Sequence, residues 1–175
     1  MLFRSANGTS KTMTLTWGAN FLLASIKGPR ADVNATTSMT YDASGALTQI
    51  TNALNQKTQI TQHLPGGLPQ TIVDPNGITR QFTYDARQRM LTSTVVTVTG
   101  PFAGPLTTTY AYDAAGNVLS VTLPDASAIM NTYDTARRLT GHTDLFGQKI
   151  NYALNAAGRV TQSTSPMAQL PRHSW

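Results

Sequence analysis

The sequence contains no cysteine, and all eight of its acidic residues are aspartates, with no glutamate anywhere. Without cysteine there is no disulfide framework, no zinc–thiolate centre and no cysteine nucleophile. Charged residues make up only 12% of the chain, about half the share usual in soluble domains. No apolar run approaches the roughly 18 residues of a membrane-spanning helix; near the N-terminus the longest is Phe21-Leu-Leu-Ala24. The opening residues, Met1-Leu-Phe-Arg-Ser-Ala-Asn-Gly8, lack the apolar core of a signal peptide. There is no Gly-x-Ser-x-Gly elbow and no phosphate-binding loop.

What is abundant points to strands and turns. The chain has 28 threonines, 13 glycines and nine prolines. Threonine favours extended, half-buried backbone, and the absence of glutamate removes a good helix former. Glycine and proline punctuate a chain with many turns. The net charge of +5 follows from the missing glutamates rather than from a basic stripe. The cations are scattered, with Arg137-Arg138 the one doublet, so no nucleic-acid partner is expected.

Four Tyr-Asp pairs recur, at Tyr41-Asp42, Tyr84-Asp85, Tyr112-Asp113 and Tyr133-Asp134. Degenerate copies begin near Gln62-His63 and at Leu154-Asn155. Starts at 41, 62, 84, 112, 133 and 154 are 21, 22, 28, 21 and 21 residues apart. Trp17-Gly18 forms an earlier start, which gives about seven repeats in a single array over residues 1–175. An apolar residue follows six positions after each start, at Leu47, Leu68, Met90, Val118, Leu139 and Val160. Glycine lies four positions after the start at Gly45, Gly66, Gly116 and Gly158, while Gln88 and Arg137 fill that slot elsewhere.

A second turn falls midway through each unit. Asp74-Pro75-Asn-Gly77 is its clearest copy and Asp144-Leu-Phe-Gly147 matches it. Asn52-Ala-Leu-Asn55, Pro124-Asp125-Ala126, Ser165-Pro166 and Ser5-Ala-Asn-Gly8 are weaker versions. An aspartate at the head of a turn accepts a bond from the backbone N–H two residues on, and glycine supplies positive φ. Between turns the residues alternate, as in Leu106-Thr-Thr-Thr-Tyr-Ala-Tyr112, where Leu106, Thr108, Tyr110 and Tyr112 share a face. Two short strands per unit give some fourteen in one antiparallel strip. The Gly-Pro-rich stretch from Thr97 to Leu106 accounts for the long spacing as an extended hairpin loop.

Tyr-Asp-x-x-Gly-x-Leu alternating with Asp-Pro-x-Gly resembles the RHS/YD-repeat family, and Tyr112-Asp-Ala-Ala-Gly-Asn-Val118 is a good copy. Ile26-Lys-Gly-Pro-Arg-Ala-Asp32 is similar to a linker common in bacterial RHS proteins. The resemblance implies an all-β fold, a long curved antiparallel sheet forming an open segment of a spiral β-shell. In that family, which includes RHS polymorphic toxins, toxin-complex shell proteins and teneurins, the shell encloses a toxic domain or serves as an adhesive body. The implied partners are further repeats of the shell and an enclosed toxin domain, at the cell surface or after secretion. The family's cleavage segment and a following toxin domain are missing, and the chain ends at Pro171-Arg-His-Ser-Trp175, so a fragment of a longer core is expected.

The aspartates raise the question of chemistry. Seven of the eight, all but Asp32, sit in the turn motifs, where a structural role is sufficient. Paired acid–base catalysis and calcium binding are therefore not expected. His63, His142 and His173 have no metal-ligand spacing. No catalytic, cofactor or metal residues are assigned. The alternative to a structural role is a carbohydrate- or protein-binding surface module, with the recurring tyrosines as a stacking platform; a packed aromatic ladder explains the same recurrence. Two open edges would favour self-association.

Overall fold

The computed structural model describes residues 2–4, 10–30, 32–33, 35–96 and 104–165. The weak turn copy at Ser5–Gly8, Ala31 of the linker, residues 97–103 of the long insertion, Pro166 and the terminal residues with His173 lie outside these. The described residues contain no helix that could cross a membrane.

Every element among the described residues is a strand. The first seven are β1 (Leu2–Arg4), β2 (Ser10–Thr12), β3 (Thr14–Trp17), β4 (Leu23–Lys27), β5 (Thr36–Tyr41), β6 (Leu47–Thr51) and β7 (Lys57–His63). Next come β8 (Pro69–Val73), β9 (Thr79–Tyr84), β10 (Met90–Val95), β11 (Leu106–Tyr112) and β12 (Val118–Thr122). The last four are β13 (Ala128–Tyr133), β14 (Leu139–Thr143), β15 (Lys149–Leu154) and β16 (Val160–Thr164). Strands β3 to β16 follow chain order in one open, fourteen-stranded antiparallel sheet, and β1 pairs with β2 separately. Among the described residues, the strand pairs in contact, such as β3 with β4 and β13 with β14, are neighbours in the chain. That is the connectivity of a one-dimensional repeat rather than of a two-layered sandwich.

The chain divides into two compact units, Met1–Phe82 with Val95–Pro105, and Thr83–Thr94 with Leu106–Trp175. In the first unit one row across the strands reads Thr16, Ser25, Ser38, Thr51 and Lys57. The opposite face carries Leu15, Ile26, Met39, Ile50, Ile60 and Ile72. The second unit shows the same division. Tyr110, Val121 and Ile129 form a row on one face, and Ala111, Ser120, Met130, Thr143 and Lys149 form one on the other. Alternation thus puts an apolar face and a Thr- and Ser-rich face on each strand.

A repeat of 21 residues conflicts with a side-chain period of two, because each unit would turn its neighbour's faces over. One extra residue per repeat resolves this. Thr132 pairs with Gly141 and Tyr133 with Leu139, which leaves Thr140 unmatched as a bulge. The same shift leaves Ala24, Thr48, Leu119 and Thr161 unmatched beside four further loops of the Tyr-Asp type. The ladders flanking the midway turns, such as β12 with β13, have no shift. Between β7 and β8 two shifts occur, and the additional unmatched residue is Thr61.

Candidate functional site

Among the described residues, side-chain hydrogen bonds gather in the loops and in the seams between successive hairpins. Eleven loops among the described residues share one geometry. The N–H of the first loop residue donates to the carbonyl four residues on, and the N–H three residues on donates back to the first carbonyl. In the loop headed by Asp113 these bonds are 3.0 Å to Asn117 and 3.1 Å from Gly116. In ten of them no earlier loop residue has positive φ, as in a type I turn followed by a left-handed residue; in the Leu64 loop Gly66, at φ 103°, fits a type II turn instead. The heads are Gly18, Asp42, Asn52, Leu64 and Asp74 in the first unit, and Asp85, Asp113, Leu123, Asp134, Asp144 and Asn155 in the second. The Tyr-Asp turn and the Asp-Pro-x-Gly turn, distinct as sequence patterns, are the same loop.

The carboxylates serve these loops. Oδ1 of Asp85 accepts the N–H groups of Arg87 at 2.8 Å and Arg89 at 3.0 Å, and Asp42, Asp74, Asp113, Asp134 and Asp144 do the same for their own loops. Asn52 substitutes without loss of either bond. Asp125 is the exception in placement, two residues after the head, where it accepts from Ser127. The backbone N–H of Arg89 and that of Arg138 are the leading causes that hold the carboxyls of Asp85 and Asp134 below the ordinary aspartate range.

The left-handed position is glycine in six loops, at Gly45, Gly67, Gly77, Gly116, Gly147 and Gly158. In the other five it is Phe21, Asn55, Gln88, Ala126 and Arg137, with φ between 57° and 67°. In the copy near residue 62 the left-handed loop residue is Gly67 and the head is Leu64, one residue later than the spacing suggests; Gly66 also has positive φ. The bulge at Thr61 accounts for the displacement.

Four start residues reach back to the preceding repeat. Tyr41 donates its hydroxyl to the carbonyl of Leu23 at 2.9 Å, Tyr112 to Met90 at 2.8 Å and Tyr133 to Val118 at 3.0 Å. His63 takes the same place, with Nε2 2.9 Å from the Leu47 carbonyl. Each acceptor is the apolar residue six positions after the previous start. Its side chain pairs across its own loop with that start, as Tyr41 does with Leu47, Tyr112 with Val118 and Tyr133 with Leu139. Val160 likewise pairs with Leu154. The recurrent aromatic and the recurrent apolar residue are thus a cross-strand pair and a seam at once.

A second contact reaches forward. Arg89 is ion-paired to Asp85 at 2.6 Å, donates Nη1 to the carbonyl of Asp113 at 3.0 Å, and lies 4.6 Å from the centre of the Tyr112 ring. Arg138 repeats the arrangement with Asp134 at 2.7 Å and the Asn155 carbonyl at 3.0 Å. Arg87 adds a bond to Ala114. Beneath these side chains the next loop has glycine. A Cβ built on Gly158 would lie 3.4 Å from Arg138 Cδ, and one on Gly116 would lie 3.8 Å from Arg89 Nη1. Leu22 stands over Gly45 in the same way. The sequence reading did not single out this forward position, although Arg89, Arg138 and Arg159 stand five residues after the starts at 84, 133 and 154.

His142 pairs through Nδ1 with the Asn131 amide oxygen at 2.9 Å, and Asn131 joins Tyr133 on the Val118 carbonyl. A groove of about 310 Å³ in the first unit is lined by Gly18, Leu22, Met39 and Tyr41, among others; its one carboxylate, Asp42, is engaged in its own loop.

A strip of hairpins taken in chain order, joined at several seams by a ring bonded backward and at two by an arginine bonded forward, defines a tandem β-hairpin repeat protein. The family profile RHS Repeat matches residues 65–101 and 95–128. Among solved structures, TcdB2-TccC3 without its hypervariable C-terminal region aligns with TM-score 0.69 and 18% identity, over 92% of this chain and 9% of that one. TcdB2-TccC3 itself gives 0.68 and 17%, over 92% and 10%. The Photorhabdus luminescens Tc holotoxin pore gives 0.65 and 18%, over 90% and 9%. The chain therefore spans about a tenth of those proteins. No curated protein matches it in sequence. The RHS Repeat match covers the middle of the chain, and over most of its length the fold is similar to that of TcdB2-TccC3.

Proposed function

We propose that this chain is a non-catalytic wall segment of an RHS-type shell, whose partners are further repeats of the same wall and a toxin domain enclosed by it. One observation carries the reading: among the described side chains only Ile60 and Thr71 are buried, despite fourteen strands. A sheet with an apolar face and no second layer has no core of its own. That face needs cover from elsewhere, and the lumen side of a shell supplies it.

In this reading the array over residues 1–175, with starts near 17, 41, 62, 84, 112, 133 and 154, is the wall. Its framework is the set of loop residues Asp42, Asp74, Asp85, Asp113, Asp134 and Asp144 with Pro75 and the left-handed glycines. The carboxylates are committed to backbone N–H groups, which supports a structural role over acid–base chemistry. The rings of Tyr41, Tyr112 and Tyr133 are engaged at the seams, which supports a packed ladder over a sugar platform. The longer protein would act outside the cell or at its surface.

Electron cryomicroscopy of the chain within its natural reading frame tests this. The expected result is these hairpins in the wall of a hollow body with density inside. A chain folded back on itself into a sandwich with its own dry core would overturn the proposal, as would saturable binding of a glycan through the tyrosine row.

A further inference from the structure

The seam between the Gly18 and Asp42 loops is built like the seam between the Asp85 and Asp113 loops, but without its arginine. Tyr41 donates its hydroxyl to the Leu23 carbonyl as Tyr112 does to that of Met90. The Asp42 carbonyl accepts the Gly45 N–H at 3.1 Å, and the Asp113 carbonyl accepts that of Gly116 at 3.1 Å. A Cβ on Gly45 would lie 3.7 Å from Leu22 Cδ1, where one on Gly116 would lie 3.8 Å from Arg89 Nη1. Leu22 therefore holds the place of Arg89. A leucine side chain ends at Cδ, whereas arginine continues to its guanidinium. The space beyond Leu22 is the groove of about 310 Å³, whose walls include Gly18, Ala24, Met39, Tyr41 and Asp42.

A cation is missing here as well as volume. Oδ2 of Asp85 and of Asp134 is paired with Arg89 and Arg138, and Oδ2 of Asp113 accepts the Asn117 amide. Ala46 stands at that position after Asp42, whose bonds to Ser44 and Ala46 all go to Oδ1. Among the described residues no hydrogen bond reaches Asp42 Oδ2. We propose that this groove binds the side chain of an arginine carried by a peptide. The guanidinium lies against the Tyr41 ring and donates to the Asp42 carbonyl, as Arg89 does at Tyr112 and Asp113. The free Asp42 oxygen supplies the opposite charge. Leu22, Ala24 and Met39 give the methylene stem an apolar wall. An anionic ligand would meet the same carboxylate, with no cation among the lining residues. The site is defined by the likeness of the two seams and does not depend on the shell reading.

The test titrates the full, isotope-labelled chain with a capped Gly-Arg-Gly peptide by nuclear magnetic resonance. The amide signals of Tyr41, Asp42 and Gly45 should shift saturably, with a dissociation constant of about 10 mM or below. The same peptide with citrulline keeps the shape without the charge and should bind about tenfold more weakly. Methylguanidinium, which lacks the stem, should also bind more weakly. Leu22→Arg should abolish binding by filling the groove from within. Asp42→Asn retains a loop head of the kind seen at Asn52 and should weaken binding by about threefold. Circular dichroism checks the fold of both variants, and the citrulline comparison needs neither. Equal affinity for the citrulline peptide or for methylguanidinium would overturn the proposal. So would unchanged affinity in either variant, or no saturable shift at about 100 mM peptide.

Discussion

The guanidinium of Arg89 lies 4.6 Å from the centre of the Tyr112 ring, one repeat further along the chain, while its Nη1 bonds the carbonyl of the adjacent Asp113. A single side chain therefore reads both the ring and the turn of the next unit. Removing either partner removes the same contact. A double-mutant cycle of Arg89→Ala and Tyr112→Leu, followed by urea denaturation, should give a coupling energy of about 0.5–1 kcal/mol. Additive effects would show that the ring contact contributes nothing.

The hydroxyl bonds can be weighed against each other. Tyr112 is the one side-chain donor on the Met90 carbonyl among the described residues, whereas the Val118 carbonyl receives both Tyr133 and Asn131. Tyr112→Phe should cost about 1 kcal/mol, the usual net value of a buried hydrogen bond. Tyr133→Phe should cost less, because Asn131 remains. The order of the two midpoints in a denaturant titration checks this.

The left-handed residues allow substitutions of opposite sign. A left-handed non-glycine residue costs about 1–2 kcal/mol, partly offset by the entropy glycine loses on folding. Gln88→Gly and Ala126→Gly should therefore stabilise by up to about 1 kcal/mol. Gly116→Gln should destabilise by at least that strain, since it also meets Arg89. A lower melting temperature for Gln88→Gly would contradict the loop assignment.

Acid should weaken the loops. Bonds from N–H and hydroxyl groups, led by the Ser44 side chain at Asp42, the Asn117 side chain at Asp113 and the Arg138 backbone at Asp134, lower these carboxyl pKa values. A lowered folded-state pKa contributes stability that is present above the unfolded value near 3.9 and is lost as pH falls through the folded value. The carboxylate contribution should be constant above about pH 5 and decline below about pH 4. Asp134→Asn should blunt that decline and keep its loop, as Asn52 keeps both of its bonds. Asp134→Ala should melt lower than Asp134→Asn at neutral pH.

Much of the fold was legible because the loops repeat chemistry as well as length. Asp, Gly and the start aromatic are visible in one pass, and alternation between them marks strands. The equivalence of the two turn types was hidden, because the tyrosine before one and the proline inside the other disguise a shared Asp-x-x-Gly. The bulge left a weak signature, since the unmatched residues Ala24, Thr48, Leu119, Thr140 and Thr161 share a place in the repeat but threonine is common along these strands; the odd period of 21 was the other hint. Gly141 was silent: a Cβ there would sit 2.5 Å from Thr132 Oγ1 across the strand pair, a steric demand that exists only once the register is known.

The central claim is that these hairpins are held by neighbour-to-neighbour seams and not by a shared core. Site-resolved amide hydrogen exchange of the Tyr133→Phe/Arg138→Ala chain tests it directly. The expected result is faster exchange in β13 to β16, on either side of the altered seams, with β11 and β12 paired to each other and protected as before. Uniform loss of protection throughout the second unit would mean that a common core holds it, and would contradict the account.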